Sequence, residues 1–99
     1  MEITYHFHNL ENSEAIKEYL KTKLEKLTSH FTTLMSATAR FKVEKIDHIV
    51  ELTVNGDGVQ FVGEEKATDM YAAIDLLEKK LEKQIKKHKE KNLGKHNRS

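Results

Sequence analysis

The residues best placed for chemistry sit in "DLLEKKLEKQIKKHKEK", residues 75–91, where lysines alternate with leucines and an isoleucine every three or four positions. Clustered ammonium groups make and break no bonds of their own; they hold polyanions, reading charge rather than base identity. On a helical wheel of about 100° per residue, Met70, Ile74, Leu77, Leu81, Ile85 and His88 share one side. Lys79, Lys83, Lys86 and Lys87 gather opposite, with Lys80 and Lys91 beside them, while Glu78 and Glu82 occupy one flank. Lys79, Lys83 and Lys87 follow one another at i,i+4, which costs an isolated helix a few tenths of a kcal/mol per pair. A phosphate partner reverses that cost. The competing reading is a solvated helix face, but such a face usually mixes signs.

Net charge hides this segregation. The formal value is +1, yet residues 1–77 carry 8 Lys/Arg against 13 Asp/Glu, and residues 78–99 carry 9 against 3. A basic end on an otherwise acidic chain points to a polyanionic partner. No aromatic residues interleave with the lysines, so stacking on splayed single-stranded bases is not expected. Structured RNA met through its backbone fits better, with binding that weakens steeply in salt.

Other chemistries find less support. There is no cysteine, which removes disulfides, thiolate metal sites and a thiol nucleophile, and suits a reducing cytoplasm. His6 and His8 share a strand face and His48 could lie near them, but no carboxylate stands at ligand spacing, so no metal or other cofactor is expected. Glu64, Glu65 and Asp69 fit a polar connection, and "NGDG" at 55–58 fits a hairpin turn rather than a phosphate cradle. The chain is read as a non-enzyme.

The elements that position the lysines follow from periodicity. "EITYHFH" alternates Ile3, Tyr5 and Phe7 with Thr4, His6 and His8, as a strand does. Asn12 or Ser13 caps a helix whose apolar line is Ile16, Leu20, Leu24, Leu27 and Phe31. Lys17, Lys21, Lys23 and Lys26 on it alternate with Glu14, Glu18 and Glu25. "ATARFKVEK", "HIVELTVN" and "VQFVGEE" read as three further strands, the first carrying Arg40 and Lys42 on one side. Thr68 or Asp69 caps the last helix, and Gly94 with "KHNRS" ends it. The N-terminus shows no secretory signal and no apolar run spans a membrane. The expected fold is α+β: one β-α-β-β-β-α domain with a four-stranded sheet and both helices on one face.

"DMYAAIDLLEKKLEKQIKKHKEK" at 69–91, "FKVEK" at 41–45 and "SEAIKEYLKTKLEKL" at 13–27 resemble the bacterial ribosome hibernation-promoting factor family, also described as S30AE-type or sigma-factor modulation proteins. The resemblance implies a fold similar in outline to double-stranded-RNA-binding domains. It also implies a translation inhibitor that occupies the mRNA and tRNA channel of the small ribosomal subunit and preserves idle ribosomes. The contacts it implies on ribosomal RNA are Lys23 and Lys26, Lys42 and Lys45, and Lys79, Lys83, Lys86, Lys87, Lys89 and Lys91. The match is to the short type, with residues 1–93 as the ribosome-binding domain and 94–99 as a flexible polar tail. The partners implied are the small subunit and the whole ribosome, with a separate modulation factor where ribosomes dimerise. Off the ribosome a cytoplasmic monomer is expected. The rivals are a general structured-RNA-binding module and a transcription-factor-modulating interaction domain.

Overall fold

The computed structural model describes residues 1–31 and 33–97, with side chains described through residue 89 except at 32, 34 and 35. Its elements are β1 (Glu2–His8), α1 (Glu14–Leu27), a 3-10 turn (Thr28–His30), β2 (Leu34–Glu44), β3 (Asp47–Gly56), β4 (Val59–Ala67) and α2 (Met70–Asn97). The strands form one sheet in the order β1-β2-β3-β4, with β1 parallel to β2 and the other pairs antiparallel. This is the expected α+β arrangement, and both helices cover one face.

Alternation decides which side chains meet the helices. Ala37, Ala39 and Phe41 of β2, Val50, Leu52 and Val54 of β3 and Phe61 of β4 are buried against Leu20, Leu24 and Leu27 of α1 and Ile74, Leu77, Leu81 and Ile85 of α2. Phe41 anchors the β1 side, stacking with Phe7 at 4.9 Å and Tyr5 at 6.5 Å between ring centres. Gly63 lets α2 lie close on β4: a Cβ there would stand 2.8 Å from a Leu77 methyl, closer than packed carbon atoms approach.

Ser13, of the two candidates, caps α1, its Oγ accepting from the Ile16 N–H at 3.2 Å. Asp69 takes the corresponding place at α2, accepting from the Tyr71 N–H at 2.9 Å. α1 stops at Leu27 rather than continuing to Phe31, because Thr28 and Ser29 turn their hydroxyls onto the carbonyls of Glu25 and Lys26. At the other end of the chain, α2 does not stop at Gly94 but runs to Asn97, so residues 94–97 of the expected tail are helical; 98 and 99 lie outside the described residues. One glycine costs a helix about 1 kcal/mol relative to alanine, and the chain contains no proline to force a stop.

Candidate RNA-binding surface

α2 presents three flanks, and each uses its charges differently. The flank toward β4 seals the sheet edge. Lys80 Nζ donates to the Glu64 carbonyl at 3.3 Å and pairs with Glu65 at 3.5 Å, and Gln84 Nε2 donates to the Val62 carbonyl at 3.5 Å. Exposed strand edges invite pairing with other chains, so Lys80 is occupied in closing one.

The flank toward α1 carries the acids. Asp75 accepts a 2.6 Å hydrogen bond from the Tyr19 hydroxyl and pairs with Lys23 at 3.3 Å. The Lys23 ammonium also lies 5.1 Å from the Tyr19 ring centre, and Tyr71 meets Tyr19 edge-on at 5.0 Å. The Tyr19 hydrogen bond, helped by Lys23, holds the Asp75 carboxyl below its ordinary pKa; the same bond raises Tyr19, and the contact with Asp75 raises Lys23. Lower along the seam, Glu82 accepts from Lys86 at 3.3 Å and stands 3.8 Å from His30. Glu78 faces Lys23, Leu24 and Leu27 across a small gap between the helices.

The outward flank carries Lys79, Lys83 and Lys87, all exposed, together with Lys86. Among the described residues, Lys79, Lys83 and Lys87 enter no ion pair. The acids that would neutralise this ridge have been turned toward α1.

The ten expected contact lysines therefore divide. Lys79, Lys83, Lys86 and Lys87 form one continuous surface on α2. Lys89 stands beside it, half-buried at a cavity of about 100 Å³ lined also by Phe31, Phe61, Ile85 and His88. The Lys91 side chain lies outside the described residues. Lys26 is exposed on the last turn of α1, whereas Lys23 is half-buried in the seam. Lys42 and Lys45 sit apart, at the β2–β3 end of the sheet, with Lys42 held by Glu44 at 3.2 Å. Arg40 and Lys42 do face away from the helices, as does the β1 face bearing His6 and His8.

Two features escaped the periodicity. His48 does not join His6 and His8. It pairs with Val43 and Ala67 in the register that puts Val50 on the helical side, so it belongs to the opposite face. The Tyr19–Asp75–Lys23 cluster spans 56 positions in sequence, and no local pattern announces it. His88 packs edge-on against Phe61 at 5.7 Å between ring centres, a place at the core edge. Among the described residues, no three of His, Asp and Glu converge as a metal site.

The same combination of sheet and helices recurs in known proteins. The Thermus thermophilus Protein Y N-terminal domain superposes with a TM-score of 0.83 at 30% identity, over 89% of this chain and 99% of that one. A ribosomal subunit interface protein from Coxiella burnetii gives 0.79 at 27%, covering 90% and 98%. In sequence, the ribosome hibernation promoting factor of Azotobacter vinelandii is 37% identical over 94% of this chain and 87% of its own length. That of Escherichia coli K12 is 35% identical over 92% and 96%. Residues 3–93 match the family described as Sigma 54 modulation protein / S30EA ribosomal protein, and this chain belongs to that family.

Proposed function

We propose that this protein binds the ribosome and silences it by occupying the mRNA and tRNA channel of the small subunit, preserving idle ribosomes without catalysis or cofactor. The observation that carries the reading is the outward flank of α2. Three exposed lysines there enter no ion pair among the described residues, while the acids of the same helix serve the interior seam. A like-charged row is unfavourable alone and favourable against phosphate. The relatives, named ribosome hibernation promoting factors, support the same partner.

The proposed contacts are Lys26, Lys42, Lys45, Lys79, Lys83, Lys86, Lys87, Lys89 and Lys91 on ribosomal RNA backbone. Lys23 joins them only by exchanging Asp75 for a phosphate. Residues 1–93 form the binding domain, working in the cytoplasm as a monomer until bound. Ribosome dimers would need a separate modulation factor beside it.

Sedimentation with ribosomes through sucrose gradients, at low and moderate salt and with duplex RNA as competitor, tests this. Co-migration with small subunits and whole ribosomes that survives competitor is expected. Loss to competitor would reduce the protein to a general RNA binder. Absence of association at either salt would return the ridge to a solvated face.

A further inference from the structure

One carboxylate stands between the interior seam and the outer ridge. Glu82 accepts from Lys86 through one oxygen at 3.3 Å, and its other oxygen lies 3.8 Å from His30 Nε2. Of the three side chains His30 is the most enclosed, 23% exposed against 41% for Glu82 and 55% for Lys86, so its charge is the least screened by water. His30 closes the 3-10 turn that follows α1, and carbonyls at the end of a helical run favour a cation there.

The charged groups on the elements packed about His30 are few. α1 brings Lys26, exposed one turn earlier, and Lys23, which Asp75 already holds. α2 brings Glu78, facing Lys23 across the gap between the helices, and then Glu82 and Lys86. Lys89 stands further on, at the cavity beside Phe31, and Asp57 on that side accepts from the Thr33 N–H. Among the described residues, the carboxylate that His30 meets is Glu82.

Histidine changes charge between about pH 5 and 8, where lysine and glutamate ordinarily do not. With His30 neutral, Glu82 and Lys86 cancel, and the outward flank offers Lys79, Lys83 and Lys87. With His30 charged, the imidazolium answers Glu82 from the seam side. It need not displace Lys86, because the two cations meet different oxygens. The charge of Lys86 is then uncompensated and adds to the other three. Protonation inside the seam is thereby expressed on the outer surface without a change of shape.

Resting on the ribosome-binding reading above, we infer that His30, Glu82 and Lys86 form a proton-linked element that sets the strength of the lysine ridge. Ribosome binding tightens as pH falls through the range in which histidine charges. Linkage is reciprocal, so binding at intermediate pH takes up a proton.

Ribosome affinity measured from about pH 5.5 to 8 at fixed ionic strength, with a salt series at both ends, tests this. Wild type is compared with His30→Gln, His30→Arg, the open-face variant His6→Gln/His8→Gln and the ridge variant Lys79→Glu/Lys83→Glu/Lys87→Glu. Thermal unfolding of each accompanies the binding. Titration of the ribosome itself affects every variant alike and cancels in the comparison. At the acid end wild type is expected to bind about threefold more tightly than His30→Gln, with a salt slope steeper by about 1. At the alkaline end the two bind alike. His30→Arg keeps the acid-end affinity throughout, and His6→Gln/His8→Gln keeps the wild-type response.

Folded His30→Gln following the wild-type pH course, while the ridge variant fails to bind, overturns the element and leaves the ribosome reading standing. His30→Arg binding no more tightly than wild type at the alkaline end overturns it too, because charge at that position would not reach the ridge. Wild type failing to associate at any pH removes the ribosome reading and this inference with it.

Discussion

The flank of α2 facing α1 carries Asp75, Glu78 and Glu82; the outward flank carries Lys79, Lys83 and Lys87, and the two are little more than a quarter-turn apart. In the seam the carboxylates are engaged: Asp75 pairs with Lys23, and Glu82 takes Lys86 from the edge of the ridge and stands 3.8 Å from His30. On the ridge none of the three lysines meets one, among the described residues. A count of charges along α2 would average these into one mixed helix. Seen in place, the acids hold two helices together and leave the outer cations uncompensated, which is the condition for holding an external anion. Charge on a helix is thus assigned its work by what faces it.

The largest expected effect separates the two flanks outright. Lys79→Glu/Lys83→Glu/Lys87→Glu should abolish ribosome co-sedimentation at moderate salt, while the thermal midpoint stays close to wild type. Because these lysines enter no ion pair among the described residues, Lys79 acting only through its field on Asp75, a collapse in stability would show that the ridge is structural and break the comparison.

Next comes the flank that meets the sheet. Gly63→Val pushes a side chain into Leu77 and Leu81 and is expected to cost about 1–3 kcal/mol by denaturant unfolding. Folded Gly63→Val should still bind ribosomes, because overpacking moves the helix slightly without removing its charge.

In the seam, Asp75→Asn removes the charge that Lys23 meets and leaves a weaker, neutral amide oxygen as the acceptor for Tyr19. With the carboxylate 44% exposed, solvent screening limits the loss to on the order of 1 kcal/mol. The accompanying pH dependence has a definite sign. The folded state holds Asp75 below its ordinary value of 3.8, so its contribution is complete above that value and disappears as pH falls through the folded pKa. Wild type should therefore lose more stability on acidification below about pH 4 than Asp75→Asn does, and parallel unfolding curves for the two would remove Asp75 from the account.

The smallest effect sharpens the boundary between the flanks. Glu82→Gln releases Lys86 from its 3.3 Å pair and should tighten ribosome binding by only a few-fold, with the salt slope rising by at most about 1. Weaker binding would mean that Glu82 positions Lys86 for its partner instead of restraining it.

Much of the fold was legible locally. The alternation in β1 named its half-buried inward side chains, and the three-and-four spacing in both helices named buried ones, because a pleated strand and an α-helix each give a fixed period to whatever faces the core. The Asn-Gly and Asp-Gly pairs at 55–58 located a turn, though only register against β4 chose Asp57-Gly58 as its centre. The lysine ridge was equally legible, since i,i+4 neighbours are set by helix geometry alone. Lys23 was not: its spacing makes it look like any α1 lysine, and only the approach of Asp75 from a distant helix engages it. Lys80 is similar. One residue from Lys79, it closes a strand edge that exists only once β4 has found β3.

By itself, the sequence determined the elements, their apolar faces, the separation of acidic and basic ends, and the family. Those properties depend on residues within a few positions of one another, or on the order in which such segments occur. Tertiary structure alone decided which charges are internal and which are offered outward. That depends on Coulomb and hydrogen-bond partners brought within about 4 Å by packing. It also decided that His30 stands beside Glu82, because the packing of α1 against α2, and no local pattern in either helix, brings the end of one to the flank of the other.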